Sequence, residues 1–181
     1  MILYGIKKVV LTELDESTGQ AKASGTTCTL TTAEEAEMTP VYAEGTEEVF
    51  RSAEKILAIV REDDLLYGLD LTFKDNTFDE KCAELVCGYK KAADESKKLT
   101  TPLMSEGNIA KPFKMEIFVK QVEGDAVVGY VKITLNKCYG KFVSMKVGKE
   151  FFAPEFEIKA RENTKAGLPI KEITFVEELP S

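Results

Sequence analysis

The six residues Asp75-Asn76-Thr77-Phe78-Asp79-Glu80 come nearest in this chain to a ligand-binding motif, because alternating oxygen side chains are what a calcium loop requires. The match ends there. Glu80 stands where the sharp turn needs glycine, and Val86 stands where the twelfth position needs a bidentate acid. Acids favoured by a helix N-terminus explain the same residues without a ligand. The four cysteines, Cys28, Cys82, Cys87 and Cys138, contain no CxxC pair. They read as small buried hydrophobes of a reducing compartment, with a Cys-only metal site as the alternative. Cys82 and Cys87 are five apart in a predicted helix, so their side chains diverge and should not bridge. The 181 residues include no histidine, which removes Ser-His-Asp and Cys-His catalysis, His-ligated zinc and a histidine pH switch together. No GxGxxG, P-loop or GxSxG segment occurs. Adjacent acids such as Glu34-Glu35 and Asp63-Asp64 would point to opposite faces of a strand rather than across one cleft. No catalytic, cofactor-binding or metal-binding residue is therefore assigned, and the chain is not expected to be an enzyme.

The elements that would position any site are mostly strands. Leu65, Tyr67, Leu69, Leu71 and Phe73 alternate with polar Asp70 and Thr72, as a strand with one buried face requires. Phe113, Met115, Ile117 and Val119 repeat the pattern around Lys114 and Glu116. The turn Glu123-Gly124-Asp125 follows, and then Val127, Gly129, Val131, Ile133 and Leu135, which together predict a β-hairpin. Phe152, Phe156 and Ile158 alternate with Glu155, Glu157 and Lys159, and a last strand is predicted over Ile170–Val176 after Gly167-Leu168-Pro169. Tyr4–Leu14 is rich in β-formers, with Asp15–Gly19 as its turn. One segment breaks the period. Phe78, Cys82, Leu85 and Val86 share a helical face, Thr77 and Glu80 suit a capping box, and Gly88 suits the stop, so a short helix is predicted over 78–87. The expected architecture is mainly β, a β-sandwich or barrel with one flanking short α-helix, in a single domain over 1–181.

Composition agrees with a folded domain: 44% hydrophobic and 30% charged residues, with a net charge of −7. An acidic balance opposes a grip on nucleic acid, which needs clustered Lys and Arg. Met1-Ile2-Leu3-Tyr4-Gly5 leads into Lys7 and Lys8 without a long apolar stretch, so neither an export signal nor a membrane span is expected. Two segments depart from the regular strands. Over 32–64, Glu34, Glu35, Glu37, Glu44, Glu47 and Glu48 precede the first base, Arg51. The apolar run Ile56-Leu57-Ala58-Ile59-Val60 follows, bracketed by Lys55 and Arg61-Glu62-Asp63-Asp64. Such a run suits a plain core strand, a helix fragment, or a projecting hairpin whose face another subunit covers. Residues 92–111 are polar, with Pro102 and Gly107, and are expected to form a long surface loop.

The order of elements carries a resemblance. An N-terminal strand (Tyr4-Gly5-Ile6-Lys7-Lys8-Val9-Val10) and an acidic middle segment come first. The strand Leu66-Tyr67-Gly68-Leu69-Asp70-Leu71-Thr72-Phe73 then leads directly into the helix Phe78–Gly88, before a hairpin and C-terminal strands ending in Phe156-Glu157-Ile158-Lys159-Ala160-Arg161. This pattern resembles the major tail tube proteins of long-tailed bacteriophages and prophages of Gram-positive bacteria. The resemblance implies a structural virion protein that forms hexameric rings stacked into a hollow tube. It further implies other tail proteins as partners, passage of DNA without specific binding, assembly in the host cytoplasm, and no cofactor or active site. Phage-tail-like bacteriocins and injection machines use related tubes.

Six copies at −7 would give a ring about −42, and an acidic bore lets a polyanion slide where a basic one would trap it. Glu34, Glu35, Glu37, Glu44, Glu47 and Glu48 are the candidates for that lining, with a solvated outer face as the alternative. Candidate subunit contacts are Phe50, Ile56, Leu57, Ile59 and Val60, together with Thr100, Pro102, Leu103 and Met104 of the loop. Deleting Thr100–Asn108 should leave a folded monomer that assembles poorly. A β-sandwich adhesin or carbohydrate-binding module is the competing class. It would present exposed aromatics, whereas most Phe and Tyr here occupy positions expected to be buried.

Overall fold

The computed structural model describes residues 2–52, 55–91, 98–103, 105, 110–144 and 154–180. The chain is mainly β, as its alternating pattern predicts. β1 (Ile2–Glu13), β2 (Thr27–Leu30), β3 (Ala33–Ala43), β6 (Leu65–Asp75), β9 (Phe113–Glu123), β10 (Ala126–Ser144), β11 (Glu155–Arg161) and β12 (Lys171–Val176) form one antiparallel sheet. Its order is β2-β1-β9-β10-β11-β6-β3, and β12 pairs with β10 off this path. β4 (Glu47–Ser52) pairs with β5 (Lys55–Arg61), and the two-residue strands β7 (Lys90–Lys91) and β8 (Leu99–Thr100) pair with each other.

β10 turns this ribbon into a closed core. Its first half pairs with β12 through Tyr130–Leu135 and its second half with β11 through Cys138–Ser144, with a register shift between Leu135 and Cys138 on its β9 side. A bulge bends and twists a strand, so β11, β6 and β3 swing over the face of β1 and β9. β3 comes back beside β1 although the two lie well apart in the sheet order. Val9 and Leu11 of β1, Met115 and Ile117 of β9, Leu71 and Phe73 of β6, and Phe156 and Ile158 of β11 then meet in one buried cluster. Each such side chain contributes about 1.5–3 kcal/mol by leaving water. The Phe73 and Phe156 rings stack with centroids 6.3 Å apart.

The predicted hairpin is present, with Glu123 opposite Ala126 around Gly124-Asp125 and Gly124 at φ 60°. The helix α1 (Glu80–Cys87) packs its Cys82, Leu85 and Val86 stripe against β10 and β2. Its start differs from the expectation. Asp79, not Thr77, is the N-cap, accepting from the Cys82 backbone N–H at 2.9 Å. Thr77 is held elsewhere, its hydroxyl 2.7 Å from that of Thr32 and donating to Asp75 at 3.1 Å. Asp75 is buried and also accepts from the Thr32 hydroxyl at 2.8 Å, so the carboxylates of the calcium-like segment serve a loop and a cap. All four cysteines are free thiols.

Two burial expectations fail. Leu65 and Tyr67 keep the period of β6 but are 69% and 50% exposed, because that end of the strand runs beyond the core. Most described aromatics are not buried either. Tyr4, Tyr42, Phe50, Tyr67, Phe78, Tyr139 and Phe175 are exposed, against Phe73, Phe113, Phe118 and Phe156 inside. Phe152 lies outside the described residues.

Buried polar groups fasten one end of the structure. Glu13, in the last position of β1, accepts from Thr26 N–H at 2.9 Å and lies 2.9 Å from the Lys22 ammonium and 3.5 Å from that of Lys111. Burial works against its charge. The Thr26 and Lys22 hydrogen bonds and the two ammonium groups outweigh that effect and hold its pKa at about 2 instead of 4.5. Asn163 donates to Gly19 O at 2.7 Å and Asn136 O at 3.3 Å, and Asn136 donates to Pro169 O at 2.9 Å.

Candidate functional site

The apolar run 56–60 is neither a core strand nor a helix fragment. It is β5, half of a hairpin arm in which every residue of β4 and β5 is exposed. β3 and β6 stay paired, through two register shifts, up to Ala43 and Leu65, and the arm continues from them through a short neck. In the neck Gly45 N–H donates to Asp64 at 2.9 Å, Glu62 N–H donates to Thr46 O at 2.8 Å, and the Thr46 hydroxyl donates to Glu62 at 3.2 Å. A Cβ at residue 45 would overlap the Glu62 carbonyl, so glycine is what lets the two strands close there.

Cross-strand register assigns the arm's faces. One carries Val49 opposite Ile59, beside the Glu47–Arg61 ion pair at 3.4 Å. The other carries Phe50 opposite Ala58 and Glu48 opposite Val60. Phe50 is 68% exposed and Ile56 63%, with Leu57, Ile59 and Val60 close behind. Most single-sided β-ribbons are polar on the face turned to water. This one is apolar on both, and among the described residues no contact covers either.

Further apolar surface that the sequence did not single out lies on the sheet itself. Ile173 and Phe175 of β12 stand opposite Ile133 and Val131, on the core-facing side of the sheet, yet are 54% and 63% exposed. Tyr42, Leu66 and Ile170, with Met38 and Leu69, line a groove of about 460 Å³ between the upper ends of β3 and β6 and the start of β12. The alternation of 171–176 was legible. Its exposure was not, and among the described residues β11 pairs with β6 only as far as Arg161, opposite Gly68.

The six acids do not share a face. Glu35 and Glu37 stand on the side of β3 opposite Ala36 and Met38, which pack on the core. Glu34 sits at a register shift and lies 3.5 Å from Lys74. Cross-strand neighbours on that outer face include Lys74, Lys141, Lys159 and Arg161 as well as Asp70, Glu155 and Glu157, so its charge is nearly balanced. Glu44, Glu47 and Glu48 belong to the base of the arm, where Glu62, Asp63 and Asp64 join them against Arg61 alone.

Of the loop candidates, Thr100 is exposed and its hydroxyl donates to Lys90 O at 3.3 Å, Pro102 is half-buried and Leu103 is 66% exposed. Met104 lies outside the described residues. Three of the thiols are poorly suited to nucleophilic chemistry. Burial pushes Cys87 up to about 12 and Cys138 higher still. A hydrogen bond with Cys28, together with burial, raises Cys82 well above its ordinary value. Two exposed rings already carry cations, Arg161 over Tyr67 at 5.4 Å and Lys137 over Tyr139 at 5.6 Å. Among the described residues no group of His, Cys, Asp and Glu is arranged to hold a metal ion, and no helix is long and apolar enough to cross a membrane. The chain matches no protein-family model and no curated protein, which leaves the arm and the open sheet surface as the features that point to a role.

Proposed function

We propose that this chain is a structural subunit that polymerises into a tube of stacked hexameric rings, of the kind found in phage tails, through which DNA passes without being bound. The observation that carries this reading is the arm. A two-stranded ribbon is marginal alone in water, and one with apolar residues on both faces gains stability only when neighbours cover it. The exposed β12 face and the adjoining groove are further surface for identical neighbours. Thr100, Pro102 and Leu103 are assigned to the same contacts. A negative bore would draw on some of Glu34, Glu35, Glu37, Glu44, Glu47 and Glu48, of which Glu34 and Glu35 meet Lys74 and Glu47 meets Arg61. Tubes of bacteriocins and injection machines would use the same geometry. The exposed aromatics favour a carbohydrate-binding module less than their number suggests, since Tyr67 and Tyr139 already stack on Arg161 and Lys137. Negative-stain microscopy of the purified chain over a concentration series tests the reading. Hollow filaments or six-fold rings are expected; monomers at every concentration, or a bound glycan on a monomer, overturn it.

A further inference from the structure

The arm carries a separation of charge along its length that the apolar faces do not explain. Its base holds six acids, Glu44, Glu47, Glu48, Glu62, Asp63 and Asp64, against one base, Arg61. Toward its tip the described charged residues are Arg51 and Lys55, both basic. Within the base, Glu47 pairs with Arg61, and Glu62 and Asp64 hold the neck. Glu44, Glu48 and Asp63 take no part in those bonds and are exposed, as are Arg51 and Lys55. From Lys55 to Arg61 the strand rises about 20 Å, at about 3.3 Å per residue. That exceeds two Debye lengths at physiological salt, so Lys55 is screened from Glu44 and Asp63 of its own arm, while Arg51, three residues along β4 from Glu48 and about 10 Å from it, is screened only in part. A charge placed in direct contact escapes that screening.

We propose that the arm docks tip to base on a second copy of this chain, with Arg51 and Lys55 of one arm against Glu44, Glu48 and Asp63 of the next, so that copies join in one direction. This rests on the assembly reading above and adds its polarity. Two arms lying antiparallel would also match tip to base, but that closed pair covers one face of each arm. Both faces are apolar, Val49 and Ile59 on one and Phe50 and Val60 on the other, so each arm requires more than one neighbour. A directional, non-closing contact is the kind that builds open polymers.

Charge reversal tests this. R51E/K55E at the tip and E44K/E48K/D63K at the base should each raise the concentration needed for assembly at least about tenfold, as like charges then meet in the contact. Mixed in equal amounts, the two variants should assemble at the wild-type concentration, because every junction again joins opposite charges. The five substitutions combined in one chain should assemble alone. Sedimentation velocity reads the size and the onset in each case. Tip and base reversals that leave assembly unchanged, while I56S/I59S blocks it, overturn the polarity and spare the assembly reading. Restoration that stops at a dimer overturns the directional contact. A wild-type chain that never assembles overturns both.

Discussion

Replacing Ile56 and Ile59 with serine separates what the arm does for the subunit from what it does for an assembly. In the free subunit the two side chains are already 63% and 56% exposed. Full burial of an isoleucine is worth about 1.5–3 kcal/mol, so covering the exposed part of each contributes about 1–2 kcal/mol to a contact. I56S/I59S should therefore weaken each contact by about 2–4 kcal/mol. At 1.4 kcal/mol per decade, the onset of assembly should move to roughly thirty- to several-hundredfold higher concentration. The dilute subunit should hardly notice. Exposed substitutions change stability by about 0.5 kcal/mol or less, which is about 1–2 °C in Tm for a chain of this size. Sedimentation velocity over a concentration series gives the first quantity and thermal unfolding below the onset gives the second. Unchanged assembly would refute the arm as a contact. A Tm loss of many degrees would refute its exposure.

The same arithmetic predicts how assembly begins. Val49, Phe50, Ile56, Leu57, Ile59 and Val60 are 44–68% exposed, and together offer roughly 6–10 kcal/mol when covered. Joining two molecules costs an estimated 4–15 kcal/mol in lost freedom and ordering. A single pair is near break-even, whereas a subunit that enters a growing structure and makes several contacts at once is not. The onset should be sharp in concentration, with few small oligomers below it.

Glu13→Gln should cost about 3 kcal/mol of subunit stability at pH 7, from a pKa of about 2 against an ordinary 4.5. A depressed carboxylate stabilises above its unfolded pKa, so urea titrations should show the gap narrowing as pH falls from about 4.5 toward 2, and a constant gap would count against the ion pairs. Gly140→Val would drive its side chain into Val86 and should destabilise by about 1–3 kcal/mol, with V86A recovering part of the loss; additive effects would show that the strand and α1 do not meet there. Asn163→Ala leaves the Gly19 and Asn136 carbonyls without their donor and should cost about 1–3 kcal/mol, with faster hydrogen exchange in the turn 15–20 as the local readout.

The strands were legible where one face stays in the core along the whole segment, as at Phe113, Met115 and Ile117. Leu65 and Tyr67 continue the same alternation as Leu69 and Leu71. Nothing local in the sequence marks where the partner layer ends, so period was readable and burial was not. Residues 137–144 were missed as strand because the shift between Leu135 and Cys138 breaks the alternation midway through β10. β3 was hidden by its composition. Glu34, Glu35 and Glu37 read only as part of an acidic middle segment, whereas an edge strand tolerates polar residues on its outer side. The helix cap went to Thr77 rather than Asp79 because the competing bond comes from Thr32, 45 residues away. In the arm, sequence left the core strand, the helix fragment and the hairpin open together, since a short apolar run satisfies all three. What separates them is the pairing of 47–52 with 55–61 and the absence of any layer above it among the described residues.

Apolar faces and charge do different work in such an arm, and neither suffices alone. Two apolar faces without polarity would let arms associate in any orientation, which is how exposed β-ribbons aggregate. Charged residues without the apolar faces would be too weak, because exposed ion pairs contribute about 0–1 kcal/mol each and are screened by salt. In the proposed assembly Val49, Phe50, Ile59 and Val60 would supply the energy of contact, and the contrast between Arg51 and Lys55 at the tip and Glu44, Glu48 and Asp63 at the base would select its direction. The net charge of −7 meanwhile opposes every encounter that does not bring a tip to a base. An arm built this way favours one ordered mode of addition over disordered collapse.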